Sequence, residues 1–342
     1  MQKANRILIV GAGAVGQCYG FHLMQAGYHV TFLIKPYQHD VLTHGINVHC
    51  LNGPFRGRHH FNRFDLLTDS DALDAGPFDQ VWLAVSGPAL LGAWLPNLLG
   101  RMATQTVVCL HPTPDMQAMV RSRIGTTPAF VSGLIGFISY PGPLDSSESD
   151  SGMRWWFPPF TASLFEGPTG VTSTIVAALN RVGCPAKTVT NLGPLAFDAS
   201  AVLMAFVGHL ELSGWSMERF LVSSSVRRFK QTALQMLQPT SVAHRIGLSV
   251  FCRRWILRCV FAVARRLSPF DIEAYLKLHF KKVADQTRAM VKFYLATAQR
   301  QGRSTPALRD LSSRLAATQM DSMGTRSAPI GDDAEHIDMK GL

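Results

Sequence analysis

The residues best placed to do chemistry stand near the N-terminus. Ile7-Leu8-Ile9-Val10 runs directly into Gly11-Ala12-Gly13-Ala14-Val15-Gly16, a G-x-G-x-x-G spacing behind an apolar run. In that pattern the first glycine permits a tight turn and the second lets the backbone approach a diphosphate. The third lets the following helix pack on the strand. The diphosphate would sit on the free N–H groups and the positive end of a helix beginning at Gln17. The same glycines could form a turn that holds nothing, but the strand before them and the helix after them favour a dinucleotide. Which dinucleotide depends on the end of the second strand, where a carboxylate would bind the ribose hydroxyls of NAD. Here that strand ends Phe32-Leu33-Ile34-Lys35, with an ammonium and no acid. Lys35 is expected to pair with a 2′-phosphate, which favours NADP; the alternative is a surface lysine in the turn before Pro36.

A second group lies far downstream. Tyr275, His279, Lys282 and Gln286 succeed one another at steps of four, three and four in a predicted helix over Ile272–Arg300. Those steps keep one helical face. That face gathers an imidazole, an ammonium and an amide. Its alternative is a solvated stripe, since Lys281 and Asp285 lie close by. His209 and Glu211 are weaker candidates. The pairs His49-Cys50 and His59-His60 lack a spacing that converges on one ion, so no metal is expected.

The elements that must position these groups are legible from periodicity. Arg6–Val10, His29–Ile34, Gln80–Val85 and Thr106–Leu110 read as buried strands. Gln17–Ala26, closed by Gly27, and Leu90–Leu99 read as helices among them. Parallel strands need such crossovers, so an α/β fold with an open parallel sheet is expected. Around Phe130–Phe165 the pattern predicts a few strands and a polar loop, DSSESDSG. Helices come after it, over Ala177–Val182, Leu195–Leu212, Ser249–Leu267 and Ile272–Arg300.

The chain has 342 residues, long enough for about two domains. It is 47 % hydrophobic and only 16 % charged, which excludes a largely disordered protein. The six cysteines are widely spaced with no C-x-x-C, so a reducing compartment is expected and the cytoplasm is the default location. No secretory signal is read at the N-terminus, and no stretch reaches the ~18 uncharged apolar residues of a membrane span. The 33 basic residues exceed the 23 acidic ones by 10, which suits an anionic ligand. They are not gathered on a recognisable nucleic-acid module, and no nucleic-acid partner is expected. Val250–Leu267 is basic and amphipathic. It could lie on an anionic membrane surface. The reading adopted instead packs its apolar face within the helical domain, with arginines toward water or a subunit partner.

The opening strand, the GAGAVG turn and the basic residue after the second strand resemble the ketopantoate reductase family. So do Gly183–Pro185 with Asn191-Leu192, and Gly302 with Ser304-Thr305-Pro306. The resemblance implies an N-terminal Rossmann-type parallel sheet domain and an α-helical C-terminal domain. Between them NADPH would reduce a small 2-keto acid to a 2-hydroxy acid. The corresponding limits are residues 1–190 for the NADP-binding domain, 191–320 for a substrate and dimerisation domain, and 321–342 for a mobile tail.

This chain departs from the family pattern. Val85-Ser86-Gly87 stands where the family carries a lysine after the fourth strand, which leaves Ser86 to join Gly11, Ala12, Gly13, Ala14, Val15, Gly16 and Lys35 at the cofactor. Leu110-His111-Pro112-Thr113 stands where it carries Asn-Gly. The family's catalytic lysine and two asparagines on the long helix align with Ala199, Leu203 and Val207, all apolar, so a polar stripe is expected to have become a packing stripe. Its substrate glutamate aligns with Gln286.

Reducing a ketone develops negative charge on oxygen, and losing a positioned acid there costs on the order of a hundredfold to ten-thousandfold in rate. Lys282 or His279 is the expected replacement donor, with Gln286 orienting the substrate carboxylate. The expected activity is an NADP-dependent reduction of a small keto acid, with a homodimer as the expected assembly. The alternative is a catalytically silent NADP-binding protein acting as a sensor or assembly component.

Overall fold

The structure is a computed structural model; it describes residues 5–68, 76–101, 104–111, 113–124, 128–144 and 150–324. Pro112, residues 145–149 of the polar loop and the tail after Gly324 lie outside these. The chain divides into two compact units, Met1–Phe197 and Asp198–Leu342. The division falls inside the helix Leu192–Leu212.

The first unit is built from strands β1 (Arg6–Val10), β2 (His29–Leu33), β3 (Ile46–Cys50), β4 (Gly57–Phe61), β5 (Asp65–Leu67) and β6 (Phe78–Leu83). It continues with β7 (Thr104–Cys109), β8 (Ala129–Leu134), β9 (Ile138–Gly142), β10 (Gly152–Trp156), β11 (Ser163–Glu166) and β12 (Ala186–Thr188). Eight of them form one sheet in the order β12-β11-β8-β7-β6-β1-β2-β5. Every neighbouring pair is parallel except β8 with β11. The expected α/β parallel sheet followed by a helical region is therefore the fold observed.

Alternation along β1 shows why the sheet is buried on both faces. Ile7 and Ile9 join one core cluster with Tyr19, Phe21, Phe32 and Trp82. Leu8 and Val10 join another with Leu90, Leu95, Leu98 and Leu99. Side chains alternate faces along a strand, so a central strand covered on both sides must be apolar at every position. Each such side chain contributes about 1.5–3 kcal/mol on burial.

From β1 the chain runs outward through β2 to β5, returns to the other side of β1 at β6, and runs outward again through β7 to β8. The reversal point lies between β1 and β6, and doubly wound sheets bind ligands beyond the carboxyl ends of their strands there.

Several elements differ from the sequence reading. β3 and β4 are absent from it, yet Ile46, Val48 and Cys50 alternate inward as a half-buried strand should. They pair with β10, and β10 with β9, in a separate four-stranded sheet of order β4-β3-β10-β9. The expected helix Leu90–Leu99 is two, Gly87–Leu90 and Trp94–Arg101. The Trp94 indole folds back between them and donates to the Ala89 carbonyl at 2.7 Å.

Ser249–Leu267 is likewise divided, into Val242–Phe251 and Arg254–Leu267, by an extended Arg253 (φ −69°, ψ 126°). Ile272–Arg300 is divided into Ile272–Lys282 and Ala284–Arg300 at Val283 (φ −109°, ψ 26°). Neither interruption carries a glycine or proline, so the apolar period runs through both. The last helix, Pro306–Gly324, takes in residues 321–324 of the expected tail. Among the described residues, Leu192–Leu212 is long and apolar enough to cross a membrane by length and composition, and most of it is buried inside the protein.

Candidate functional site

The glycine turn sits at the carboxyl end of β1. Gly11 has φ +99°, and its N–H donates to the Leu33 carbonyl at 2.9 Å, tying the turn to β2. A Cβ on Gly11 would lie 2.8 Å from Val85 Cγ1, and one on Gly16 only 2.0 Å from the Gly11 carbonyl oxygen. Helix and turn are thus packed flush, which needs glycine at both places. Gly13 differs: a Cβ there would meet nothing within 4 Å. Its backbone faces open space.

The helix Ala14–Gln25 has no side chain capping its start and no acid in its first turn. The Gln17 N–H makes the first intrahelical bond, to the Gly13 carbonyl at 2.9 Å. The N–H groups of Ala14, Val15 and Gly16 precede it and have no intrahelical acceptor. Buried Gln17 donates from Nε2 to the Ala12 carbonyl at 2.7 Å and holds the turn in shape, while its Oε1 is buried with no hydrogen-bond partner. An open backbone cradle, uncapped N–H groups and the positive end of a helix together fit a diphosphate.

Lys35 is exposed just after β2, and its N–H donates to Gln38 Oε1 at 3.3 Å as a short turn begins. Ile34 beside it is buried. A lysine at that place fits a phosphate on the ribose. Ser86 is exposed at the carboxyl end of β6, and its carbonyl accepts the Leu90 N–H at 3.2 Å.

His111 is the group that sequence reasoning misses, since it stands out there only as a departure from the family pattern. It comes after β7 and is 5 % exposed. Its Nδ1 accepts the Thr113 backbone N–H at 3.2 Å, so the neutral ring carries its proton on Nε2. Burial lowers its pKa to about 4. Nε2 is buried without a partner and points at Gly87, where a Cβ would come within 2.8 Å of it. The available signal is position: a histidine immediately after a parallel strand, on the ligand-binding edge of the sheet.

In the helical unit the four-residue face is not one face of one helix. Tyr275 and His279 lie on Ile272–Lys282 and stack with ring centroids 5.4 Å apart. The His279 ring is half-buried, and burial, then Lys282, pull its pKa down. Lys282 is exposed at the end of that helix, and Gln286 lies beyond the Val283 break on the next one.

The expected packing stripe also fails in part. Val207 is fully buried, but Ala199 is exposed and Leu203 is 43 % exposed. His209 is buried against Thr232, with Nε2 3.0 Å from Oγ1, and burial lowers its pKa to about 4. Glu211 is held in an ion pair with Arg288 at 2.6 Å. Both are occupied in packing the unit. His49-Cys50 and His59-His60 lie on adjacent strands, with His49 opposite Arg58 and Val48 opposite His59. Among the described residues no cluster of three or more His, Cys, Asp or Glu could hold a metal ion.

Residues 7–111 match the model of the ketopantoate reductase PanE/ApbA family. No curated protein matches the sequence. Among solved structures, 2-dehydropantoate 2-reductase from Geobacter metallireducens is similar at TM-score 0.65 and 17 % identity, covering 92 % of this chain and 99 % of that one. The enzyme of the same name from Methylococcus capsulatus is similar at TM-score 0.60 and 15 % identity, over 94 % and 98 %. A ternary structure of D-mandelate dehydrogenase with NADH and anilino(oxo)acetate is similar at TM-score 0.61 and 14 % identity, over 93 % and 99 %. The resemblance read from the GAGAVG turn therefore holds over residues 7–111, and the fold of the chain is one that these proteins share.

Proposed function

From the premise of a ketopantoate reductase fold, we propose that this chain is an NADPH-dependent oxidoreductase that reduces the carbonyl of a small 2-keto acid to a 2-hydroxy acid. The observation that carries the proposal is the glycine turn, where Gly13 faces open space while Gly11 and Gly16 are fixed by contact. Gly11, Ala12, Gly13, Ala14, Val15 and Gly16 would hold the diphosphate, and Lys35 the 2′-phosphate. Ser86 would lie at the nicotinamide side. Bound there, the reduced nicotinamide supplies the hydride.

The carbonyl oxygen must then gain a proton. Of the two candidates, burial favours a neutral His279 ring, which leaves the exposed Lys282 as the donor and His279 as its neighbour. Gln286 would orient the substrate carboxylate. His111 offers one further group, a neutral Nε2–H that donates a hydrogen bond without giving up its proton. A soluble cytoplasmic homodimer is the assembly and location proposed with this activity.

The alignment expected from the sequence favours a second reading. The positions aligned with the family's lysine and asparagines are Ala199, Leu203 and Val207, none able to transfer a proton. A silent NADP-binding protein would keep the glycine turn and lose turnover.

The test is NADPH oxidation with ketopantoate and a panel of 2-keto acids, with NADH as control and NADPH affinity measured in parallel. Turnover with one acid supports the reductase. Tight NADPH binding without turnover supports the silent binder. Failure to bind NADPH would sink both.

A further inference from the structure

The feature that the nucleotide reading leaves unused lies in the helical unit. From Arg219 to Phe270 the sequence holds ten lysines and arginines and no aspartate or glutamate. The other 23 basic residues match the 23 acidic ones, so this segment carries the whole formal excess of +10.

The same segment exposes apolar side chains in order. On Val242–Phe251, Leu248 is buried while Val242, Ile246 and Val250 are exposed at four-residue steps, Ile246 by 62 %. On Arg254–Leu267, Leu257 is buried and Phe261 stacks on Phe206 with centroids 5.8 Å apart. Trp255, Cys259, Val263 and Leu267 form a second stripe at four-residue steps, all exposed, with Trp255 at 64 %. Four-residue steps share one helical face. Each helix is thus apolar on an inward face, which is packed, and on an outward face. Arg258, Arg265 and Arg266 stand exposed along the second stripe. The expectation that the apolar face of this segment packs away within the domain accounts for only the first of these faces.

We infer that this outward face docks on an anionic lipid surface. An interfacial helix has this composition, with tryptophan and aliphatic side chains on one side and arginines flanking them. The charge is complementary to a phospholipid headgroup layer, and each cation near such a layer is worth about fivefold in partition. A second copy of the chain is the poorer occupant, because a twofold contact would set one acid-free segment against another.

The full-length chain should be sedimented with vesicles of phosphatidylcholine alone and of phosphatidylcholine mixed with phosphatidylglycerol. Co-sedimentation is expected with the mixed vesicles only, and it should be lost in high salt. Trp255 is the exposed tryptophan, since Trp82, Trp155, Trp156 and Trp215 are buried and Trp94 half-buried. Emission should therefore shift to the blue on binding, and Trp255→Phe should abolish the shift. A triple Arg258→Gln, Arg265→Gln, Arg266→Gln variant should lose about a hundredfold in partition while keeping its circular dichroism.

Absence of pelleting with mixed vesicles at low salt overturns the inference, as does unchanged binding by the triple variant. A concentration-dependent dimer abolished by Trp255→Ser, without vesicle binding, would assign the face to a second copy. Binding to an acidic protein without binding to vesicles would assign it to that class of partner.

Discussion

The two units treat their candidate chemistry differently. In the first, the groups that would hold a ligand are backbone groups: N–H donors at Ala14, Val15 and Gly16 and the bare chain at Gly13. The sequence has to supply only an absence of side chains there, and contact at Gly11 and Gly16 fixes where. In the second, the candidate groups are side chains on helices, and their meaning depends on where each helix begins and stops. The break at Val283 is enough to separate Gln286 from His279. A backbone site survives divergence as long as its glycines do. A side-chain site can be rewritten one residue at a time, and Ala199, Leu203 and Val207 are the positions where the sequence reading expects such a change.

The largest expected effect separates two glycines of one motif. Gly16→Ala forces a Cβ to within 2.0 Å of the Gly11 oxygen, and backbone cannot move aside cheaply. Thermal unfolding should show a loss of about 3 kcal/mol or more. Gly13→Ala meets nothing within 4 Å, so its melting temperature should stay put while NADPH affinity falls. If both variants unfold alike, the division between a packed and an open glycine is wrong.

The helical unit is probed next. Lys282→Ala should lower kcat on the order of a hundredfold to ten-thousandfold, and His279→Ala should have a smaller effect. Full turnover by both would remove the proposed donor.

Acid separates the units by another route. His209 in the helical unit and His111 in the first are both held at about 4 by burial. The unfolded chain binds protons at these rings near pH 6.5, whereas the folded chain does not until about pH 4. Stability is therefore fully present above 6.5 and falls as pH drops toward 4, by up to about 3 kcal/mol for each ring. His209→Gln should flatten that decline in chemical denaturation; an unchanged slope would show that His209 is not the buried titrating group.

The smallest effect is at the surface. Lys35→Ala should weaken NADPH by roughly tenfold, a charged hydrogen bond being worth about 1.5–3 kcal/mol when well formed, and should leave NADH unchanged. Equal losses for both cofactors would refute the 2′-phosphate contact.

Much of the first unit is legible because its strands are uniformly apolar. Arg6–Val10 reads as a strand and is one, residue for residue. β3 and β4 escape the reading although Ile46, Val48 and Cys50 alternate correctly, because the pairs His49-Cys50 and His59-His60 draw attention as possible metal ligands rather than as residues of two paired strands. In the helical unit, Arg253 and Val283 stop helices through local dihedrals that carry no compositional mark. Periodicity cannot see them, and the face argued from Tyr275 to Gln286 inherits that blindness. His111 is found only by inspecting the residue directly beyond the carboxyl end of each strand in a parallel sheet.

The position of β1 has a consequence for the order of events at the ribosome. β1 lies between β2 and β6, and the Arg6 N–H donates to Asp79 Oδ2 at 2.8 Å. During synthesis β1 is thus flanked on one side only until residues 78–83 have emerged. Once past that point, every strand pairing of the eight-stranded sheet is available by Thr188, the end of β12. At about 5–20 residues per second, the eight-stranded sheet has its full set of strands on the order of ten seconds before Gly324, the end of the last helix, is added. A nascent chain halted after that strand should already show the protease resistance of a fully paired sheet, before the helices that follow it exist.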